Sequence, residues 1–316
     1  MSSTLLGALI AEGVSSCLDQ RRVSRGNFAA PFLRIFREAV SPVLLPDTAR
    51  FRLALYGPAF AFAALLPICA SIPFCTVVPV LDNGGDLVQI FQFALLSDIL
   101  AVVSLHSLGT ASGREAARAR FRDSACMMIV VMSCFASLSW YLEATGVSGD
   151  TFSLNTLSLV LRDASVNAGV VAGIILFIFL ILGMCGGETG FQRDGELAEY
   201  RGAQRAILSL WSVFRTFIIV ALVTHIFFPW ALFQPSGASA QSISWYMQAL
   251  NFIMFWIAVI AVRVLLVPLC GRVLGFAHDR LFAPRYAWLL LPCLTLFAIS
   301  LVMYAAVSIA AEVASF

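Results

Sequence analysis

The chain has 316 residues, of which 60% are hydrophobic and only 12% are charged. Soluble domains carry roughly twice that charged fraction, so too little polar surface remains to coat a water-soluble globule of this size. The net charge of +2 rests on 20 basic residues, all of them arginine, scattered through short segments between apolar runs. This scatter argues against a nucleic-acid-binding protein, whose basic residues gather on one soluble face.

Apolar runs long enough to cross a bilayer recur from end to end. A spanning helix needs about 20 mostly apolar residues. Such runs lie at 4–18, 52–75, 87–108, 125–145, 165–186, 206–232, 246–270 and 286–311. The sequence therefore predicts an all-α polytopic membrane protein of about eight transmembrane helices, built as a single domain over residues 1–316. Pro58, Pro67 and Pro73 predict a kinked second span.

Residues 28–40, which read FAAPFLRIFREAV, precede the second predicted span. Phe28, Phe32, Ile35, Phe36 and Ala39 fall on one face of a helix drawn through this stretch. Most of the charge falls elsewhere, a pattern typical of a short amphipathic helix lying in the membrane interface. The alternative is an ordinary cytoplasmic linker helix.

Arginines predict the orientation of the chain. Seventeen of them lie in or directly beside the alternate loops 19–51, 109–124, 186–206 and 271–285, whereas the intervening loops contain only Arg162. Because positive residues accumulate on the cytoplasmic side, these four loops are predicted to be cytoplasmic. Both termini are then periplasmic, and the membrane is the inner membrane of a bacterium or archaeon.

Four ionisable residues fall inside predicted spans. Asp98 lies in the middle of the third span, roughly 15 Å of helix rise from either end. Arg215 and His225 lie in the sixth span and Arg263 in the seventh. A charge at such depth is costly and normally paired, so we expect Asp98 to face Arg215 or Arg263. The pair is either part of an ion path or a static contact that fixes helix packing, and His225 is read as a packing histidine.

The eight cysteines form no C-x-x-C pair, and the three histidines show no metal-ligand spacing. No catalytic, cofactor or metal site is therefore predicted in this chain.

One charged stretch, GELAEYRG at 195–202, is followed by IFFPW at 226–230. This combination resembles the complex I subunit 1 family, a membrane component of NADH–quinone oxidoreductase. It is most similar to the membrane subunit of formate hydrogenlyase and other energy-converting group 4 nickel–iron hydrogenases. Further stretches agree in order along nearly the whole chain: RVSRGNFAAPFLRIFREAV at 22–40, PDTARFRL at 46–53, Arg122-Asp123, Arg263, and RVLGFAHDRLFAPRYAW at 272–288.

The resemblance implies a non-catalytic membrane-anchor subunit of a respiratory oxidoreductase. Its partners would be a hydrogenase-large-like subunit, an iron–sulfur small subunit and antiporter-like membrane subunits within the lipid bilayer. Iron–sulfur clusters, and nickel–iron where it is retained, would belong to those partners. The docking residues it implies for the peripheral arm are Arg22, Arg25, Arg34, Arg37, Arg114, Arg122, Asp123, Glu188, Asp194, Glu196, Glu199, Tyr200 and Arg201.

The sequence departs from the family pattern at the residues that carry protons. Val131 stands where the family has a glutamate in the fourth span, and the fifth span offers only apolar residues at 177–182. Proton passage by the family's usual route is therefore doubtful. A true coupling subunit that conducts through Asp98 and the 188–199 carboxylates is one alternative, and a stand-alone polytopic transporter is another. The sequence leaves open whether a quinone is used and whether the ion is a proton or sodium.

Overall fold

The computed structural model describes residues 30–72, 86–118, 120–121, 124–125, 153–154, 200–227, 246 and 249–263. These residues are helical with short connections, and the single β-bridge among them joins Asp86 to Ser153. The helices are α1 (Ala30–Val40), α2 (Phe51–Ala63), α3 (Leu66–Ser71), α4 (Leu87–His106), α5 (Ala203–Phe227) and α6 (Ala249–Arg263). A further helical stretch covers 111–118.

Three segments are long and apolar enough to cross a membrane: Phe51–Ser71, Leu87–His106 and Ala203–His225. They coincide with the second, third and sixth predicted spans, and α6 falls within the seventh. The expected helical membrane fold is thereby confirmed. The first, fifth and eighth predicted spans, and nearly all of the fourth, lie outside the described residues, so the total of eight stays a prediction.

The second span is broken, as its prolines predict. Pro58 lies inside α2, and the helix is interrupted by a turn at 64–65 before α3 begins. Pro67 occupies the first turn of α3, where the missing N–H of proline costs no helical hydrogen bond. The interruption therefore falls just ahead of Pro67. Pro73 lies outside the described residues.

Contacts between the helices position the site. The α4 helix packs along α2 and α3, and α5 packs against α1 and α2. The contact between α2 and α4 is tight at Gly57, where an added Cβ would lie 2.7 Å from the Cβ of Ser104. Aromatic rings connect α2, α5 and α6, with centroid separations of 5.6 Å for Phe62–Phe214, 6.2 Å for Phe214–Phe217 and 5.4 Å for Phe217–Trp256.

The α1 helix exposes an apolar stripe formed by Leu33, Phe36 and Val40, whose exposed fractions are 63%, 72% and 75%. Of the predicted apolar face, Phe36 and Ala39 are exposed and Ile35 is partly buried, while Phe28 and the side chain of Phe32 lie outside the described part of the chain. The helix is tied to α5 on another side, where Glu38 Oε1 lies 3.2 Å from Arg205 Nε. An amphipathic helix over 30–40 is confirmed, and its place in the membrane interface stays a prediction.

Candidate functional site: the loop face and a buried polar seam

Residues 41–50, 107–110 and 200–202 meet at one end of α2, α4 and α5, and we call this end the loop face. The first two segments are joined by long-range hydrogen bonds. The backbone N–H of Arg50 donates to the carbonyl of Ser107 over 2.8 Å, and the Thr48 hydroxyl donates to the carbonyl of Leu108 over 2.9 Å. Two segments separated by about sixty residues in sequence are thus held in fixed register.

Two glycines allow these segments to approach so closely. Gly109 and Gly202 have φ of 72° and 76°, a left-handed conformation that L side chains rarely adopt. A Cβ at Gly109 would lie 2.5 Å from the carbonyl oxygen of Thr48, and one at Gly202 would lie 2.6 Å from that of Pro42. At each glycine the backbone therefore lies directly against the segment 41–50. These two close contacts hold the segments 107–110 and 200–202 in place.

Tyr200 anchors the third segment, residues 200–202, through buried contacts. Its ring is fully buried, its hydroxyl donates to the carbonyl of Ser104 over 2.8 Å, and the two hydroxyls lie 2.7 Å apart. The sequence-based prediction that Tyr200 belongs to the docking surface is therefore corrected. With no exposed area, the side chain has an internal role, and a partner on the loop face has no access to it.

The described docking residues divide clearly between surface and interior. Arg37, Arg114 and Arg201 are exposed at or beside the loop face. Only the backbone of Arg34 is described. The other predicted docking residues lie outside the described residues: Arg22, Arg25, Arg122, Asp123, Glu188, Asp194, Glu196 and Glu199.

Deeper in the bundle, the structure brings together Asp98 of α4 and Arg215 of α5. Arg215 donates from Nε to Oδ1 over 2.9 Å and from Nη2 to Oδ2 over 3.0 Å, so both carboxylate oxygens are engaged. The Asp98 side chain is 4% exposed. Asp98 lies eight residues, or about 12 Å of helix rise, from the His106 end of α4. Of the two partners expected from the sequence, Arg215 is the one bonded to Asp98.

The ion pair is embedded in polar residues that sequence reasoning missed. Trp211, one turn before Arg215, donates from its indole N–H to the Ser97 hydroxyl over 2.6 Å, and that hydroxyl donates to the Ala61 carbonyl over 2.7 Å. Arg120 is also buried, with its guanidinium carbon 4.5 Å from the centroid of the Trp211 ring. Ser124, four residues after Arg120, is buried as well.

These contacts form a polar seam between α4 and the stretch of chain that runs from Tyr200 into α5. The seam consists of three side-chain bridges: Tyr200 to Ser104, Trp211 to Ser97, and Arg215 to Asp98. The closest backbone packing of α4 is against α2 and α3, and that of α5 is against α1 and α2. The two helices therefore reach one another through long side chains, from the loop face down to the ion pair.

The other predicted intramembrane residues are His225 and Arg263. His225 is ten residues beyond Arg215 on α5, about 15 Å farther along the helix. His225 and Arg263 are buried, and each makes contacts of its own. Within the described part of the chain, no group of three His, Cys, Asp or Glu residues could hold a metal ion.

The fold and its buried charges define a polytopic α-helical membrane protein. In overall fold the chain is similar to a chain in the structure of the membrane-bound sulfane sulfur reductase, an archaeal respiratory membrane complex. The two superimpose with a TM-score of 0.64 at 13% identity, over 95% of this chain and 96% of the other. No protein-family model matches the sequence. A search of curated proteins finds no match either.

Proposed function

We propose that this chain is the membrane-anchor subunit of a hydrogenase-like respiratory oxidoreductase related to complex I. It docks the peripheral redox arm on its loop face and joins that arm to ion-translocating membrane subunits. The loop face lies on the cytoplasmic side. Electrons stay in the partner subunits, which hold the iron–sulfur clusters.

One observation carries this proposal. The fold of a chain from an archaeal respiratory membrane complex is matched from end to end, with 95% and 96% of the two chains aligned. Two subunits of the same size and architecture are expected to align over nearly their full lengths. Two proteins that share only a helical hairpin would align over that hairpin alone. The order of the motifs from 22 to 288 supports the same assignment.

The construction of the loop face supports a docking role. Loops of a membrane protein are ordinarily its most variable and mobile parts. Here three of them are joined by hydrogen bonds, by two left-handed glycines and by the buried Tyr200. A surface ordered in advance loses less conformational entropy when it binds, which favours a large, rigid partner over a small solute. Exposed arginines at its edge can bind carboxylates through two hydrogen bonds each.

The proposal is tested by purifying the chain, tagged at one terminus, from its native membranes in a mild detergent. We expect a stable assembly that contains a hydrogenase-like large subunit, an iron–sulfur subunit and antiporter-like subunits, identified by mass spectrometry and by the iron–sulfur absorption or paramagnetic resonance signal. A chain that elutes alone and transports a solute by itself contradicts the proposal and favours a stand-alone transporter.

The buried ion pair favours a second candidate, a true coupling subunit that conducts protons or sodium through Asp98. An ionisable pair at this depth is a common feature of ion pathways, and it also occurs as a static helix clamp. Asp98→Asn distinguishes the two in vesicles that hold the assembled complex. Loss of ion pumping with assembly and electron transfer retained supports conduction, whereas loss of assembly alone supports the anchor.

A further inference from the structure

The segment 41–50 carries exposed apolar side chains on the loop face. Pro42, Val43 and Leu44 are consecutive and all exposed, with exposed fractions of 40% for Val43 and 53% for Leu44. The docking residues implied by the resemblance are charged residues and a tyrosine, and they include none of these three. Contiguous apolar surface that is left exposed commonly marks a site of interaction.

This segment is fixed near both ends and lies across the end of the helix bundle. The Pro42 end lies against Gly202, the residue before α5, and Thr48 lies against Gly109, three residues after the end of α4. Val43 and Leu44 come between these two fixed points. They therefore lie over the ends of α4 and α5 rather than along the sides of the helices, where lipid would be.

The hydrocarbon core of the bilayer is not a suitable environment for this segment. Residues 42–46 form neither helix nor strand. Irregular backbone does not occur facing lipid within the hydrocarbon region, because its N–H and C=O groups would lack hydrogen-bond partners there. Val43 and Leu44 are thus placed where water or a protein covers them. Since apolar surface is driven out of water, the position favours a protein with an apolar pocket.

The segment also has the construction of a binding hot spot. Pro42 and Pro46 each hold the backbone φ near about −65°, and the contacts with the two glycines restrict the chain further. Little conformational freedom is therefore left to lose on binding. Exposed Arg201 precedes Gly202 at one end, and exposed Arg50 ends the segment at the other. An apolar centre inside a polar rim is the usual anatomy of a protein–protein interface.

We propose that Val43 and Leu44 are the anchor residues of the loop face and insert into an apolar pocket of a water-soluble partner subunit. This inference rests on the proposed function, which supplies a soluble arm on this face, and it names the contact that holds the arm. The arginines at the rim orient the encounter, whereas the two aliphatic side chains provide most of the affinity. Salt screens charged contacts but not the burial of apolar surface, so the anchor should resist sodium chloride.

The test is the rate at which the soluble subunits leave the native complex, purified in a mild detergent with Val43→Ala/Leu44→Ala in the membrane chain. We expect dissociation to be about tenfold faster or more, at low and at high sodium chloride. The matched control is Leu96→Ala/Val103→Ala, which removes the same atoms from side chains on the surface of α4 that are 46% and 40% exposed. The control should change the rate by less than about twofold.

A photoreactive amino acid at Leu44 identifies what covers the segment. We expect an adduct with a soluble subunit. Adducts only with lipid, with a second copy of this chain or within the chain itself overturn the proposal. The thermal midpoint of the membrane chain carrying V43A/L44A should match that of the control. A larger fall would assign the faster dissociation to a disturbed fold, and would also overturn the proposal.

Failure of this inference is distinguishable from failure of the proposed function. If the unaltered chain retains its soluble subunits and V43A/L44A retains them equally well, the inference alone is overturned. If the unaltered chain purifies without any soluble subunit, the proposed function fails and the inference fails with it.

Discussion

Glycine at positions 109 and 202 is required by backbone geometry. Both residues have left-handed φ values, and a Cβ would meet a backbone carbonyl oxygen at 2.5 or 2.6 Å. Backbone atoms cannot move aside as a flexible side chain can. The cost of a side chain at either position is therefore both conformational and steric.

We predict that Gly202→Ala lowers the stability of the purified chain by about 2 kcal/mol or more, the sum of a left-handed alanine and a displaced loop. Thermal unfolding in detergent measures the change. Ser112→Ala, an exposed substitution outside the loop contacts, is the control and should shift stability by less than about 0.5 kcal/mol. Equal midpoints for the two variants would show that the segment at 200–202 is not seated on Pro42.

Tyr200 allows a cleaner test, because its ring and its hydroxyl can be separated. Tyr200→Phe keeps the buried ring and removes the hydroxyl that contacts Ser104, so we expect a loss of about 1 kcal/mol. Tyr56→Phe makes the same chemical change at a residue that is 55% exposed and should be silent. If both variants unfold at the wild-type midpoint, the hydrogen bond to Ser104 contributes nothing to stability.

Some residues of the candidate site could be predicted from the sequence, and others could not. Asp98 was detectable because a carboxylate inside an apolar run has one common explanation, a buried partner. Trp211 and Ser97 were not, since tryptophan and serine are ordinary in membrane helices and carry no charge. Arg120 reads as a loop residue in the sequence, because it lies among Arg114, Arg118 and Arg122. Tyr200 is assigned to the docking surface by the resemblance of GELAEYRG at 195–202, and its burial was not predictable because it depends on Ser104, 96 residues away in sequence.

At the scale of elements, α1 is connected to α5 by a contact of modest strength. Glu38 and Arg205 lie 3.2 Å apart and are both partly exposed, and such pairs contribute roughly 0–1 kcal/mol. The packing of the two helices, rather than the ion pair, must hold α1 in place.

We predict that Glu38→Gln lowers stability by less than about 1 kcal/mol, and that the difference from wild type shrinks as salt is raised. Thermal unfolding at two salt concentrations measures both effects, and Asp47→Asn, an exposed carboxylate on the loop face, serves as the matched control. A large, salt-independent loss at Glu38 would mean that the pair is far more buried than its position on the helix suggests.

Helix boundaries were predictable where composition changes sharply. The third predicted span, 87–108, matches α4 to within two residues, since Asp86 caps its start by accepting a hydrogen bond from Val88. The sixth predicted span begins three residues after the start of α5, because 203–205 reads as polar loop in the sequence. The register between loops was not predictable, since it depends on contacts between residues that lie from about 60 to 160 positions apart in sequence.

At the scale of the whole molecule, the fold is similar to that of a chain from an archaeal respiratory membrane complex, although the two sequences are only 13% identical. Bulk membrane topology needs only apolar helices of the right length, so it tolerates such divergence. A docking surface depends on particular side chains. Experiments on the loop face therefore test the proposed function more directly than experiments on the spanning helices do.

The orientation of the loop face is a prediction of the arginine distribution. Single cysteines in place of Arg114 and Ser112, introduced into a chain without its native cysteines, should react with an impermeant thiol reagent only after the cytoplasmic side is opened. A cysteine placed between the second and third predicted spans, at Asn83, should react from the opposite side. The reverse pattern would place the loop face in the periplasm and remove the basis for docking a cytoplasmic arm.

The most direct test of the account is photo-crosslinking from defined positions in native membranes. The chain contains no lysine, so amine-reactive reagents are poorly suited to it and a genetically placed benzophenone is needed. We predict that the probe at Arg114 or Arg201 captures the hydrogenase-like or iron–sulfur subunit, and that at Phe60, exposed on the apolar surface of α2, it does not. Absence of these adducts from both loop positions, in a complex that still contains the soluble subunits, would contradict the assignment of the loop face as the docking site.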